Sequence, residues 1–120
     1  MSSGRLRRVD QALRAVLSEA IATDLQDPRV GFVTVTGVKT SSDLRHARVY
    51  LSVLGDHQTR ADSLAGLRSA HGFLQSRIAS ELNLKHTPTL TFEYDESVDQ
   101  GMRITQLLAE LPENPEPLDG

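Results

Sequence analysis

The chain has 120 residues, of which 38% are hydrophobic and 4% aromatic, as expected for one globular domain. It contains no cysteine, which excludes a disulfide framework and a thiol nucleophile, and no apolar run approaches the roughly 20 residues of a membrane span. The net charge is −3, but residues 1–90 carry 12 Lys and Arg against 8 Asp and Glu, whereas residues 91–120 carry 1 against 8. A basic body with an acidic end is compatible with a nucleic-acid partner and with an ordinary surface.

The first predicted element is a helix over residues 5–25. Its apolar residues recur at three- and four-residue steps and form one stripe, which comprises Leu6, Val9, Leu13, Val16, Ala20 and Ile21. Asp27 and Pro28 then end the helix, because a residue before proline disfavours the α region. The N-terminal residues lead into this charged helix and not into an apolar stretch, so we expect no signal peptide.

Two strands follow, over residues 32–39 and 46–54, and a polar turn at Ser41-Ser42-Asp43 separates them. In the first strand the valines change parity at Gly37, which predicts a bulge or bend there. The second strand alternates cleanly, which predicts the core-facing residues Ala47, Val49, Leu51 and Val53.

A helical segment with an internal break comes next. Thr59 and Asp62 resemble a capping box at its start, and its apolar residues recur to about residue 84. Gly72 interrupts this pattern and costs about 1 kcal/mol relative to alanine inside a helix, so a kink or break is expected there. A third strand should cover residues 89–95. Ser97 to Gln100 then predicts the cap of a short C-terminal helix that carries Ile104, Leu107, Leu108 and Leu111.

This element order predicts an α+β domain over residues 1–111, followed by a disordered, acidic, proline-rich tail over residues 112–120. The first two strands should pair as an antiparallel hairpin. A right-handed strand–helix–strand crossover should place the third strand parallel to a neighbour. The helices would then cover one face of a three-stranded sheet.

The ordered set of motifs resembles the bacterial ribosome-binding factor A family over residues 5 to about 110. In chain order the motifs are Asp27-Pro28-Arg29-Val30-Gly31, Ser41-x-Asp43, Ala47-x-Val49-Tyr50-Leu51-Ser52, Ala70-His71-Gly72 and Pro88-x-Leu90-x-Phe92 with Asp95. No single motif is specific, but their order is. The resemblance implies a type II KH-like domain in which an Ala-x-Gly kink, formed by Ala70 and Gly72, replaces the Gly-x-x-Gly clamp loop.

The resemblance also implies a cytoplasmic assembly factor that is not an enzyme. Such a factor would bind the free small (30S) ribosomal subunit and its 16S rRNA, and promote late maturation, including processing of the rRNA 5′ end. We expect it to act as a monomer. The alternative is a KH-like protein-interaction module that uses its sheet face or edge, for which binding would be almost independent of salt.

The candidate RNA-binding residues are basic side chains and residues at the inter-helix kink. Arginine presents a planar fork that matches phosphate, so the first helix offers a possible rRNA footprint in Arg5, Arg7, Arg8 and Arg14. At the kink, Gly72 would permit close approach of a phosphate to backbone amides, while Arg68 and His71 could add charge or stacking. Arg45, Arg48 and Lys85 could line one edge of the sheet. The same residues also have ordinary structural explanations. The arginines could simply form a solvated polar surface, and Lys85 could cap the C-terminus of a helix.

No sequence pattern indicates catalysis. The four histidines are scattered without a pair at helical ligand spacing, so we expect no metal site. No serine lies in a Gly-x-Ser-x-Gly elbow, and neither common type of phosphate-binding glycine loop occurs. We therefore predict no enzyme activity, no cofactor and no small-molecule substrate.

Overall fold

The computed structural model describes residues 3–97. In chain order its elements are α1 (Ser3–Glu19), a π-helical turn (Ala20–Asp24), β1 (Val33–Thr40), β2 (His46–Val53), α2 (His57–Ser69), α3 (His71–Glu81) and β3 (Thr89–Tyr94). This order of helix, two strands, two helices and strand confirms the predicted α+β class. None of the helices described between residues 3 and 97 has the length and apolar character that a membrane crossing needs.

The first helix buries an apolar stripe whose centre differs from the predicted one. Leu13 and Leu17 are fully buried, whereas Val9 and Val16 are only half-buried. Leu17 was left out of the predicted stripe, although it follows Leu13 by one turn and shares its face. The helix predicted to residue 25 is present as far as Asp24, but its last turn widens to a π-helix in which the Leu25 N–H donates to the Ala20 carbonyl.

The sheet has the order β1-β2-β3, with β2 in the centre. β1 pairs with β2 antiparallel and β3 pairs with β2 parallel, as predicted. The register shifts between Val35 and Gly37, which confirms the predicted bulge. The predicted core row of β2 is also confirmed, since each of its four members is at most 5% exposed.

The helices pack against one face of this sheet. The buried cluster joins Leu13 and Leu17 of α1 and Leu67, Leu74 and Ile78 of the helix pair to the apolar row of each strand. The opposite face, called the open face below, carries the alternate residues of the strands. These are chiefly polar and include Thr34, Lys39, Arg48, Tyr50, Thr91 and Glu93.

The helix pair breaks within the predicted Ala70–Gly72 kink, but it starts and ends at positions that differ from the predicted ones. Asp56 is the N-cap of α2, and its carboxylate accepts a hydrogen bond from the Thr59 N–H at 2.8 Å. The predicted capping box was therefore wrong, because Thr59 is the residue being capped. The break between α2 and α3 lies at Ala70, with φ −87° and ψ 11°, so Gly72 is already inside α3. α3 ends at Glu81 and not near residue 84.

The turn that follows α1 is anchored to α2. The fully buried Ser63 hydroxyl accepts from the Gly31 N–H at 3.1 Å and donates to the Arg29 carbonyl at 3.4 Å. One turn further along α2, a β-carbon on Gly66 would lie 2.6 Å from Cγ2 of Val30. The absence of a side chain at Gly66 is therefore what lets α2 approach this turn so closely.

The last two described residues follow a cap that Asp95 forms after β3. Residues 96 and 97 have helical backbone, and the Asp95 carboxylate accepts from the N–H and the hydroxyl of Ser97 at 3.0 and 2.5 Å. Asp95 thus takes the capping position that had been predicted for Ser97. The remainder of the predicted C-terminal helix, the predicted tail over residues 112–120 and the first two residues of the predicted domain lie outside the described residues.

Candidate nucleic-acid interface

Three grooves carry most of the exposed cations of the sheet. The hairpin groove, of about 580 Å³, is lined by Lys39, Thr40, Ser41, His46, Arg48 and Thr91. The loop groove, of about 340 Å³, is lined by Arg45, His46, His86, Thr87 and Thr89. The edge groove, of about 380 Å³, lies between the α2–α3 break and β3, and is lined by Arg68, His71, Leu90, Thr91, Phe92 and Glu93. We call the three grooves together the basic surface.

The basic surface is continuous because neighbouring grooves share residues. His46 borders both the hairpin groove and the loop groove, and Thr91 borders both the hairpin groove and the edge groove. The surface therefore runs from the α2–α3 break, across β3, to the end of the β1–β2 hairpin. An extended polyanion could follow it without crossing the apolar core.

A network within the hairpin turn determines how Arg45 and His46 are presented. The Asp43 carboxylate accepts from the Ser41 hydroxyl at 2.6 Å and from the Arg45 N–H at 3.1 Å, and both bonds lower the pKa of Asp43. The Ser41 hydroxyl oxygen in turn accepts from the His46 N–H at 3.1 Å. Between them Leu44 has φ 62°, a left-handed conformation that is unusual for leucine. The turn is thus held in one shape with both basic residues at its exit.

Arg48 is an exposed cation of the open face with weak internal partners. Its side chain is 65% exposed, and its guanidinium donates to the Tyr50 hydroxyl at 3.4 Å and lies 4.0 Å from the Glu93 carboxylate. The hydrogen bond to Tyr50 and the charge of Glu93 raise the pKa of Arg48, which stays protonated. In the strand register Lys39 lies directly opposite, so two cations project side by side.

Arg68 and His71 stand beside the exposed edge of β3. The Arg68 guanidinium donates to the Phe92 carbonyl at 3.0 Å, which fixes the side chain against the strand. Guanidinium has five N–H donors in a planar fork, so this bond leaves most of them for other acceptors. His71 is half-buried in the same groove, one residue beyond the Ala70 break.

Gly72 lies at the open start of α3. A β-carbon on Gly72 would meet nothing within 4 Å, so neither packing nor backbone geometry requires glycine here. Ala70 precedes the helix without a side-chain cap. Amide groups at a helix N-terminus attract anions, and a residue without a side chain lets a phosphate come close to them.

The four arginines of α1 are divided between two sides of the helix. All four are exposed. Asp10, on the same helix, accepts from the N–H and the hydroxyl of Thr40 at 2.9 and 2.5 Å, which clamps α1 to the hairpin end of β1. At about 100° per residue, Arg7 and Arg14 lie within about 60° of Asp10 around the helix. By the same geometry Arg5 and Arg8 lie about 140° and 160° away.

The structure therefore brings together only part of the predicted site. Arg45, Arg48, Arg68 and His71 line the basic surface, and Gly72 lies beside it. Arg7 and Arg14 flank its hairpin end, whereas Arg5 and Arg8 point elsewhere. Lys85 is exposed next to His86 but lines none of the three grooves.

Some members of the basic surface were not among the predicted site residues. Lys39 shares the open face with Arg48, and His46 starts the same strand. The period-two alternation of the strands could have indicated Lys39 once the pairing register was known. Within residues 3–97, no group of three His, Asp or Glu side chains could hold a metal ion.

Comparison with known proteins gives one consistent family. The family model described as ribosome-binding factor A matches residues 5–108. The chain is 44% identical over 107 residues to ribosome-binding factor A of Geobacter metallireducens, which covers 89% of this chain and 91% of that protein. It is 42% identical to ribosome-binding factor A of Desulfitobacterium hafniense, over 100% of this chain and 96% of the relative.

Solved structures give the same result. The crystal structure of ribosome-binding factor A from Thermus thermophilus matches with a TM-score of 0.67 and 26% identity, over 74% of this chain and 94% of that chain. A homology model of the Thermus thermophilus factor, fitted into a cryo-EM map of a 30S complex with that factor, matches with a TM-score of 0.60 and 26% identity. That match covers 72% of this chain and 91% of the fitted chain.

Proposed function

We infer that this chain, which belongs to the ribosome-binding factor A family, binds the free small (30S) ribosomal subunit through its 16S rRNA. It would promote late maturation of the subunit, including processing of the rRNA 5′ end. The family comprises ribosome-binding factors and not enzymes, which confirms the prediction of a non-catalytic chain. A 30S complex of the Thermus thermophilus relative supports the same partner here.

The observation that carries this proposal is the continuity of the basic surface. Arg45, Arg48 and Arg68 lie along one path, in grooves joined through His46 and Thr91. Guanidinium forks bind phosphates in a bidentate manner, and the open start of α3 offers backbone amides at one end of the path. These features favour a ribose-phosphate chain as the ligand. The protein would then recognise the charge and shape of the RNA backbone more than its base sequence.

The proposed partner also sets where and how the protein acts. A free small subunit is assembled in the cytoplasm, so we propose a cytoplasmic protein that acts as a monomer. Its contribution would be to hold rRNA in one arrangement while other factors act, as suits a family of ribosome-binding factors. No cofactor is needed for such a role.

Charge reversal on α1 tests the proposed contact with rRNA. Arg7→Glu with Arg14→Glu places two anions beside the hairpin groove, so affinity for purified 30S subunits should fall at least about tenfold, as expected for the loss and inversion of two phosphate contacts. Arg5→Glu with Arg8→Glu changes net charge equally on the side of α1 that faces away, and serves as the matched control. Equal losses in both double variants would contradict a localised interface.

The salt dependence of binding separates the two functions considered from the sequence. If about five phosphates are neutralised, the plot of log affinity against log salt should have a slope of about −3.5 to −4.5. A protein-interaction module that used an apolar patch of the sheet would give a nearly flat plot. Co-sedimentation of the tagged protein with subunits in a gradient of cell extract supplies the partner: association with free 30S is expected, and association with neither subunit contradicts the proposal.

A further inference from the structure

The loop groove of the basic surface is lined by three basic side chains from two parts of the chain. Arg45 and His46 come from the end of the β1–β2 hairpin, and His86 comes from the loop that precedes β3. The two parts are joined at this point, because the Thr89 N–H donates to the Arg45 carbonyl at 2.8 Å and His46 lies opposite Thr89 in the register of β2 and β3. The start of β3 thereby holds the His86 loop beside the hairpin.

Both imidazoles of the loop groove are accessible to a ligand. His46 and His86 are exposed, and neither imidazole makes a hydrogen bond within the part of the chain that the structure describes. Of the three grooves, the loop groove alone holds two imidazoles, and its lining contains no carboxylate. His57 is exposed as well, but it begins α2 at the opposite end of the sheet and lines none of the three grooves.

The charged groups that surround the two histidines are mainly cations that keep their charge at neutral pH. They come from β1, β2 and the loops at this end of the sheet, and they are Lys39, Arg45, Arg48 and Lys85. From α1, Arg7 and Arg14 flank the same end. A ligand phosphate that contacts the fixed cation Arg45 is therefore also placed beside the imidazoles.

Three carboxylates face this region, and each already has a partner in the fold. The pairs are Asp10 with Thr40, Asp43 with Ser41 and the Arg45 N–H, and Glu93 with Arg48. Hydrogen bonds from Ser41 and Arg45, and to a smaller extent the charge of His46, lower the pKa of Asp43, so Asp43 stays an anion between pH 6 and pH 8. A change of binding in this pH range would therefore point to the imidazoles and not to Asp43.

We propose that the loop groove binds an RNA phosphate between His46 and His86 in their protonated form, so that RNA binding takes up protons and strengthens as the pH falls from 8 to 6. Imidazole is the side chain that ordinarily changes its charge in this range, whereas each phosphodiester keeps one negative charge. A neighbouring anion favours the charged imidazole, and by linkage the charged imidazole favours the anion equally. The inference rests on the proposed function, because it names the groups that regulate RNA binding by the same basic surface.

Affinity for purified 30S subunits, measured at pH 8 and pH 6 in the same salt, tests the proposed dependence. The parent should bind about tenfold more tightly at pH 6, or about threefold for each imidazole that gains a charge-assisted contact. His46→Gln with His86→Gln keeps polar side chains that cannot be charged, and its affinity should be nearly equal at the two pH values. Both positions are exposed, so folding should be unaffected.

His57→Gln is the matched control, and it should keep the full pH dependence of the parent. Two results overturn the proposal: an affinity of the parent that does not change with pH, or a pH dependence that is the same in the double variant. Both leave the proposed function standing, since that requires only that the parent binds 30S subunits. Failure of the parent to bind subunits at any pH contradicts the proposed function instead.

Calorimetry with polyuridylate counts the protons directly and needs no ribosomal subunit. Uracil has no group that titrates near pH 7, so titrations in two buffers of different ionisation enthalpy report the protons that the protein takes up. The parent should take up about one proton per bound protein at pH 7, and the double variant less than half as many. Binding without proton uptake, or no binding of polyuridylate at pH 6, overturns the proposal whatever the result with subunits.

Discussion

The two glycines of the helix pair have opposite surroundings, and this difference separates a folding role from a binding role. Gly66 faces Val30 and Asp27, with the closest atom 2.6 Å from where a β-carbon would be, whereas Gly72 faces open space. Gly66→Ala should destabilise the domain by about 1–3 kcal/mol, because Val30 or α2 must move. Gly72→Ala should instead stabilise it by up to about 1 kcal/mol, through higher helix propensity. Chemical denaturation of both variants measures these changes.

Binding should follow the reverse order. Gly72→Ala adds a methyl group where a phosphate would approach the amides of α3, so the stable variant should bind 30S subunits more weakly. Gly66 lines none of the three grooves, so Gly66→Ala, once folded, should keep an affinity close to that of the parent. If Gly72→Ala binds 30S subunits with normal affinity, the start of α3 is not part of the interface.

At the scale of elements, one carboxylate holds α1 to the sheet and thereby orients Arg7 and Arg14. Asp10→Ala leaves the Thr40 N–H without its acceptor and should cost about 1–3 kcal/mol in stability. Asp10→Asn keeps an acceptor oxygen and is the matched control. Affinity for 30S subunits should fall in the alanine variant beyond what its folded fraction explains, which binding measured well below the melting temperature would show.

The elements that could be predicted are those whose own sequence determines them. β2 has an unbroken period of two, and the parity change of the valines around Gly37 indicated a bulge or a bend at that point. Two of the missed positions also had local signals, because Asp56 lies three residues before Thr59, as an N-cap residue does, and Leu17 follows Leu13 by one turn. The π-helical turn had none, because the apolar stripe of α1 continues through Ala20 and Ile21 as it would in an α-helix.

The residue types of the candidate site could be predicted from the sequence, but their relative positions could not. The sequence identified its arginines as candidates, yet which of them share a surface depends on strand register and on the rotation of α1. Lys39 joins Arg48 because the bulge at Gly37 shifts β1 by one residue. Arg5 and Arg8 lie outside the site because the bond from Thr40 to Asp10 fixes the rotation of α1 and turns both arginines away from the hairpin.

For the whole molecule, the acid limit of stability should be determined by hydrogen-bonded aspartates spread over its turns. Native hydrogen bonds lower the pKa values of Asp27, Asp43, Asp56 and Asp95, the largest contributions coming respectively from Arg29, Ser41, the Thr59 backbone and Ser97. A carboxyl whose pKa is lower in the folded than in the unfolded chain stabilises the fold above its unfolded pKa, about 3.9. That contribution is lost as pH falls through the folded value.

Unfolding free energies should therefore be constant from pH 7 to about pH 5 and decrease progressively below about pH 4. Asp95→Asn removes one of the four titrating groups, and it should make the decrease between pH 4 and pH 2 shallower while slightly lowering stability at pH 7. Denaturant titrations at each pH measure both effects. Equal stability at pH 7 and pH 3, or an unchanged slope in Asp95→Asn, would show that these turn contacts persist in the unfolded chain or contribute nothing to the native state.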